Sequence, residues 1–356
     1  MPSPVEKLPP AGLDALLVIH MPNVRYLTGF TGSSGCALIT RRRRYFFTDF
    51  RYRDQAAKEV KGFEVDMVKG GLLPSVCRFI RSRRLKMERL GVDYRRLSHS
   101  SFLSLKKGLK GTGVRLADAG GVVEARRRIK SRAETAKLRK ASAIADAALK
   151  RLMRRKVTGM SERQVAWLLE SFMRQAGSGP MPFDIIVASG PRSAMPHGVA
   201  VDRVIGEGEL VVIDMGASVD GYCCDITRTF ATGALSARQE RIYRTVKEAQ
   251  ALALAAAKPG VACSEVDRAA RDYIAAAGFG EAFGHSLGHG VGLEPHEGPV
   301  LAPASKDTLE PGMVVTIEPG IYTGRTGVRI EDTVMIGEKK GGSPLTGFSR
   351  SLVTLK

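Results

Sequence analysis

Two stretches of this chain constrain its fold more than any other part of it. In the first, the apolar run Leu210-Val211-Val212-Ile213 ends on Asp214, Asp220-Gly221 follows, and Asp225 opens the next apolar run. Asp-Gly between two such runs is a strong hairpin signal. In the second, Val314-Val315-Thr316-Ile317 ends on Glu318 and Val328-Arg329-Ile330 leads into Glu331, with a Gly- and Thr-rich stretch at 323–327 midway between the two glutamates. Residues equidistant from a hairpin turn sit opposite one another. Asp214 and Asp225 are therefore expected to lie roughly opposite each other, and so are Glu318 and Glu331. Four carboxylates in a strand-built interior repel one another and lose their hydration, a cost that cations offset. Divalent metal between them is the economical solution.

The histidines point to the same place. The chain has six, and four of them fall in two short segments: His197 in Met195-Pro196-His197-Gly198, and His285, His289 and His296 within the Gly-rich stretch 284–297. Glycine there permits close backbone approach beside a site. Each feature alone has a blander reading. An acidic pair on a hairpin is more often a surface feature, a lone histidine is more often structural, and Arg329 could simply partner a buried carboxylate. The coincidence of two acidic hairpins with a histidine cluster favours the functional reading.

A chain of 356 residues exceeds one ordinary core and fits two domains. At 44% hydrophobic and 26% charged residues it has a soluble globular composition. No apolar run approaches the roughly 18 residues that span a bilayer, and residues 1–7 do not resemble a signal peptide, so a cytoplasmic protein with no membrane partner is expected. Five scattered cysteines without CxxC spacing support neither a zinc knuckle nor a disulfide framework. Cys223 and Cys224 read as small buried packing residues. The net charge of +19 is confined to the first part of the chain: residues 1–140 hold 31 Lys+Arg against 12 Asp+Glu, and the remainder holds 24 of each. With no nucleic-acid motif and few aromatic residues, this excess reads as a solvated basic surface, and nucleic-acid binding is not expected.

Short apolar runs at 15–19, 36–40, 44–48, 63–68 and 91–94 alternate with helical patterns at 53–60, 72–83 and 101–109, which predicts an α/β domain over residues 1–122. Residues 123–356 begin with the basic connector Arg126-Arg127-Arg128-Ile129-Lys130 and change style. Capping boxes at Ser131/Glu134, Ser161/Gln164, Ser236/Gln239 and Ser264/Asp267 announce four helices, with Gly177 and Gly278 as stops and Pro259-Gly260 closing the third. Strands are expected at 184–188, 209–215, 224–232, 313–317 and 327–336. Long helices on antiparallel hairpins make this an α+β domain.

The ordered set Asp214, Asp225, His289, Glu318 and Glu331 resembles the metal cage of the pita-bread metallopeptidases, which include methionine aminopeptidase, prolidase and aminopeptidase P. The strings Ile213-Asp214-Met215-Gly216, Cys224-Asp225-Ile226-Thr227-Arg228-Thr229, Gly288-His289-Gly290-Val291-Gly292 and Ile317-Glu318-Pro319-Gly320 carry the likeness. Thr227-Arg228-Thr229, Pro295-His296-Glu297, the segment 23–30 and Thr48-Asp49-Phe50-Arg51-Tyr52 are similar to the Xaa-Pro branch, whose creatinase/prolidase-like N-terminal domain precedes a creatinase/aminopeptidase-like catalytic domain.

The resemblance implies a metallo-exopeptidase that holds two divalent ions and attacks the peptide with a metal-bound hydroxide. Asp225 and Glu331 would bridge the ions, Asp214 would chelate one, and His289 with Glu318 would hold the other. Oxygen ligands with one imidazole suit manganese, cobalt, iron or zinc better than calcium, and manganese is expected. His197, His296 and Glu318 are the expected catalytic groups. His197 would bind near the scissile bond, His296 would stabilise the tetrahedral intermediate or protonate the leaving nitrogen, and His285 would line the pocket for the residue after the cut. Tyr322 and Arg329 would orient Glu318 and Glu331. The substrate would carry proline in second position, and a homodimer is expected. Some prolidase-like relatives have a basic residue shortly after the His-Glu pair; here the chain reads Gly298-Pro299-Val300-Leu301. That departure tilts the expectation toward an Xaa-Pro aminopeptidase, with an Xaa-Pro dipeptidase as the alternative. Creatinase-like relatives work without metal but lack the full ligand set. From another class, a catalytically inactive binding protein of the same fold is the remaining alternative.

Overall fold

The computed structural model describes residues 5–338 and 341–356; residues 1–4 of the expected N-terminal domain lie outside the described residues. The chain divides between Arg127 and Arg128 into two compact units.

The first unit comprises β1 (Ala15–Val18), α1 (Met21–Thr28), β2 (Cys36–Thr40), β3 (Arg44–Thr48), α2 (Arg53–Glu59), β4 (Glu64–Met67), α3 (Leu72–Ser82), β5 (Arg89–Val92), α4 (His99–Gly108) and β6 (Arg115–Asp118), and it takes in most of α5 (Glu124–Arg128). Its strands form one mixed sheet in the order β4-β3-β2-β1-β5-β6. β3 and β4 pair in parallel through α2, and β5 and β6 through α4, as a crossover helix requires. Alternation in β1 sends Leu16 and Val18 into one core and Ala15 and Leu17 into another, so the sheet is covered on both faces and its strands read as continuous apolar runs. The segment that follows β6, expected in the second domain from residue 123, stays with this unit because Asn23 Nδ2 donates to Glu124 Oε1 (2.9 Å) and Arg127 donates to Asn23 Oδ1 (2.7 Å).

The second unit opens with α6 (Arg132–Leu152) and α7 (Glu162–Gln175). Then come β7 (Ile186–Ser189), β8 (Leu210–Met215), β9 (Ser218–Val219), β10 (Tyr222–Cys223) and β11 (Ile226–Ala231). α8 (Ala237–Ala256) and α9 (Cys263–Ala276) precede β12 (Gly288–Gly290), β13 (Glu297–Leu301), β14 (Val314–Ile317), β15 (Gly320–Thr323), β16 (Thr326–Arg329), β17 (Asp332–Met335) and β18 (Ser343–Pro344). Three of the four expected capping boxes form, at Ser131, Ser161 and Ser236, each contributing about 1 kcal/mol. The fourth does not. α9 starts at Cys263 behind Ala262, because the Asp267 carboxylate is taken instead by Arg271 (2.7 and 2.8 Å) and the Leu287 N–H. Gly177 and Gly278 close α7 and α9 in the left-handed conformation, at φ 91° and 85°. All five cysteines are free and buried.

Helices α6 and α7 share a core with β7, β8 and β11, and α8 and α9 share another with β14, β15, β16 and β17. The sheets are β11-β8-β7 and β13-β12-β14-β17-β18, with β15-β16 as a separate ribbon. The strand expected over 327–336 is thus two strands, broken at Ile330-Glu331. Glu318 and Glu331 sit at matching breaks. β14 pairs with β17 as Ile317↔Asp332, the ribbon pairs as Gly320↔Arg329, and both ladders share one register, so the two glutamates face each other as expected. The first hairpin differs from expectation. Asp220 and Gly221 both take positive φ (46° and 74°), a two-residue turn that pairs Val219 with Tyr222 and therefore Asp214 with Thr227. Asp225 lies two residues beyond Asp214's partner, a diagonal neighbour on the same face rather than directly opposite.

Candidate active site

β8 holds Asp214 between Ile186 of β7 and Thr227 of β11. Asp225 precedes β11, where its N–H donates to Thr333 Oγ1 (2.9 Å) and its carbonyl accepts from the same hydroxyl (2.8 Å). Glu331 is fixed twice by one residue: its N–H donates to the Thr227 carbonyl (3.0 Å) and its Oε2 accepts from Thr227 Oγ1 (2.6 Å). Thr227 and Thr333 thus stitch the two hairpins together. On β12, the His289 N–H donates to Thr316 Oγ1 (3.0 Å), which in turn donates to Glu318 Oε1 (3.1 Å). His289 Nδ1 lies 3.0 Å from the Gly290 carbonyl, to which it donates. That bond turns Nε2 toward Glu318 Oε1 at 3.2 Å and Asp225 Oδ2 at 4.0 Å, where it donates to Glu318 when protonated and offers a lone pair when neutral.

Asp225, His289 and Glu331 each offer an atom within 4.8 Å of the others. Asp214 Oδ2 accepts from Arg329 (2.6 Å). Asp214 Oδ1 and Asp225 Oδ1 are buried without a hydrogen-bond partner. A buried acceptor left without a donor costs about 1–3 kcal/mol, more when charged, and a cation removes that cost. Oxygen donors from four carboxylates and one neutral imidazole nitrogen fit a hard or borderline divalent ion.

The electrostatics agree. Burial, then the charges of Glu331, Asp214 and Glu318, pushes Asp225 well above the usual carboxylate range. Burial, then Glu318 and Asp214, does the same to Glu331. Burial acts against ionisation of Glu318 as well, but its hydrogen bond to His289 and the charges of His289 and Arg329 outweigh it, and Glu318 lies below the usual range. Burial opposes protonation of His289, yet the Glu318 bond and charge raise it. Carboxyls with raised pKa values beside an ionised neighbour are what like charges crowded in a buried site produce, and a divalent cation would offset them.

All five expected ligands line one cavity of about 360 Å³, together with His197, His285, His296 and Arg329. His296 is exposed, its ring 4.2 Å from that of His289. His285 donates from Nδ1 to the Ser286 carbonyl (2.8 Å), its Nε2 is buried without a partner, and burial lowers its pKa. Tyr322 stands behind the lining, where its hydroxyl accepts from Arg329 (2.7 Å). Arg329 also donates to the Pro196 carbonyl and Thr227 Oγ1, both at 3.0 Å.

From the sequence, Thr227 and Thr229 carry a family likeness but no assigned role in the site. The signal existed: Thr227 and Thr229 alternate with Ile226 and Arg228 on a fully buried strand, and a polar row in a buried strand implies partners. Also unforeseen is the pair between Lys130 Nζ and Glu297 Oε1 (2.9 Å), which is almost wholly buried. The connector's last residue is therefore interior.

Residues 136–338 match the profile of metallopeptidase family M24, and residues 5–129 match that of the creatinase/prolidase N-terminal domain. The chain belongs to metallopeptidase family M24. M24 membership makes it a metallo-exopeptidase of a family that uses divalent metal, with a creatinase-type N-terminal domain before a pita-bread catalytic domain. This M24 chain is similar to the solved Xaa-Pro dipeptidase from Bacillus anthracis, with 41% identity, 99% of this chain and 98% of that one covered, and a TM-score of 0.93. It is also similar to the X-Pro aminopeptidase from Thermotoga maritima MSB8, at 38% identity, 96% and 98% coverage and a TM-score of 0.87. The Xaa-Pro dipeptidase of Pyrococcus horikoshii is 39% identical, over 98% of this chain and 97% of its own length. No helix among the described residues is long and apolar enough to cross a membrane.

Proposed function

We propose that this M24 enzyme hydrolyses the bond between a first residue and a following proline, and that it acts on dipeptides. The observation that carries the reading is the cage itself: four carboxylates and one imidazole around a single cavity, with two buried carboxylate oxygens lacking any donor. The dipeptidase relatives, similar over nearly the whole chain, move the proposal from the aminopeptidase expected from residues 298–301 to a prolidase. The aminopeptidase remains the second reading, favoured by that segment and by the Thermotoga maritima relative.

The four cage carboxylates, offset by the Arg329 guanidinium, leave three negative charges, more than one divalent ion balances. We read the site as dinuclear: Asp214, Asp225, His289, Glu318 and Glu331 would hold two divalent ions, and manganese would suit this donor set. When bound, the ions polarise the scissile carbonyl and acidify a water. Glu318, whose Oε1 accepts from Thr316 Oγ1, would serve as the proton acceptor beside that site. His296, its ring 4.2 Å from that of His289 on the cavity wall, serves the leaving proline nitrogen. His197 contacts the substrate from the exposed rim of the cavity. His285, kept neutral by burial, lines the proline pocket. A homodimer belongs to the same reading and is checked by sedimentation.

The test is to load metal-free protein with Mn²⁺, Co²⁺ or Zn²⁺ and compare Ala-Pro, Ala-Pro-Ala and Met-Ala-Ala. Cleavage of Ala-Pro alone is expected. Cleavage of Ala-Pro-Ala establishes the aminopeptidase reading, and preference for Met-Ala-Ala overturns the Xaa-Pro assignment. Bound metal with no cleavage refutes the substrate class, and absence of metal binding refutes the cage.

A further inference from the structure

One charged side chain on the cavity wall is used by neither the cage nor its Arg329 partner. Asp184 lines the cavity from the segment leading into β7; it is exposed and makes no hydrogen bond or ion pair among the described residues. The lining around it includes the apolar side chains of Phe183, Ile186, Pro196 and Val199. β7 sets the scale. Ile186 pairs in register with the cage residue Asp214, and Asp184 lies two residues earlier, at most about 7 Å of chain from Ile186. A lysine or arginine side chain spans a similar distance, about 6–7 Å from standard bond lengths.

Apolar walls along a stem with a carboxylate at its end suit an amphipathic cation, which packs its methylenes and presents its charge. We propose that Phe183, Asp184 and Ile186 form the pocket for the substrate's first residue and select lysine or arginine there. The inference rests on the exopeptidase reading above. The same carboxylate chemistry would also take the α-ammonium that every such substrate carries. That group, however, is bonded to the carbon next to the scissile carbonyl and must stay beside the cage, whereas a side chain reaches outward to Asp184.

The experiment compares kcat/KM for Arg-Pro, Lys-Pro, Met-Pro and Glu-Pro in the metal-loaded wild type, Asp184→Asn and Asp184→Lys. The wild type should prefer Arg-Pro and Lys-Pro over Met-Pro by about 2- to 5-fold, the range of a partly exposed ion pair. Asp184→Asn should bring that ratio to about one, and Asp184→Lys should turn the preference toward Glu-Pro. A ratio that survives Asp184→Asn overturns the proposal. So does an equal loss on Arg-Pro and Met-Pro, which assigns the carboxylate to the α-ammonium. Calorimetric titration of the same proteins with L-argininamide and L-norleucinamide gives a second readout that needs no turnover. If no dipeptide is cleaved the function proposed above fails, while tighter binding of argininamide that Asp184→Asn abolishes still upholds the cationic pocket, and equal binding of the two amides refutes it.

Discussion

Replacing Arg329 with methionine tests whether the acidic cage depends on the guanidinium packed against it. The side chain is 4% exposed, and its guanidinium donates to Asp214 Oδ2, Tyr322 Oη, Pro196 O and Thr227 Oγ1. Methionine keeps much of the apolar stem and removes all four bonds. Asp214 is then left without a donor at either oxygen, since Oδ1 has none to begin with. Breaking a buried pair by removing one partner costs about 3–5 kcal/mol. For a unit of this size, each kcal/mol lowers the melting temperature by about 2–4 °C, so chelator-treated protein should melt roughly 6–20 °C lower. Divalent metal supplies Asp214 with the charge it has lost, so the loss in the metal-loaded protein should be distinctly smaller. Metal affinity should fall about 10- to 100-fold, as when a ligand loses its orienting bond. Calorimetric melts with and without Mn²⁺, plus a metal titration, measure all three quantities. Equal losses with and without metal would show that packing, not charge, is what Arg329 supplies. A metal-free loss below about 1 kcal/mol would refute the dependence of Asp214 on it.

The metal-free protein should lose stability as pH rises from the unfolded carboxyl value of about 4 toward the raised folded values of Asp225 and Glu331. Asp225 and Glu331 have folded pKa values raised above the unfolded value of about 4, so the folded state binds more protons in between and its stability falls with pH, by up to about 1.4 kcal/mol per unit per group. His289, also raised, acts in the same direction, and the lowered His285 and His296 oppose it only below about pH 6.5; a metal-free melting curve that climbs across this range sinks the argument. His296→Ala should keep its metal and lose on the order of 10²–10⁴ in kcat, and a near-normal kcat at full metal content would remove His296 from proton transfer. In Gly288→Ala the new Cβ would stand 2.1 Å from the Thr316 carbonyl oxygen and 2.9 Å from Thr316 Oγ1, the hydroxyl that links His289 to Glu318. Urea melts should show a loss of about 1–3 kcal/mol or more, with reduced bound metal by elemental analysis, and wild-type values in both would show that the backbone gives way freely.

What the sequence disclosed about this site follows the range of each interaction. Carboxylates ending apolar runs are visible locally, and so are capping boxes, and three of the four boxes form as read. The fourth fails because Arg271 and the Leu287 N–H, neither part of the box, compete for Asp267. α1 went unread although Pro22 sits in its first turn, where proline is tolerated. Lys130 looked like part of a basic connector because its partner Glu297 is remote in sequence. Threonine is ordinary in strands, so nothing marked Thr316 and Thr333 as hydroxyls that hold the cage, and only the polar row on β11 pointed to Thr227.

The misjudged register of the first hairpin is instructive, because the true offset has a structural consequence. Had Asp225 been paired directly with Asp214, its backbone would have been engaged in the β8–β11 ladder. With the turn centred between Asp220 and Gly221, Asp225 falls just outside that ladder, where a Cβ on Gly216 would stand 2.4 Å from the Cys224 carbonyl oxygen. The Asp225 N–H and carbonyl are then both free to bond Thr333 on the second hairpin. At the facing position, Glu331 lies in the break between β16 and β17, and its N–H bonds Thr227 of the first hairpin. Each hairpin thus gives up ladder pairing at one acidic residue, and that residue's backbone bonds the other hairpin. The same two breaks place the carboxylates of Asp225 and Glu331 within 4.8 Å of each other, so the interruptions in the ladders are what join the hairpins and form the cage.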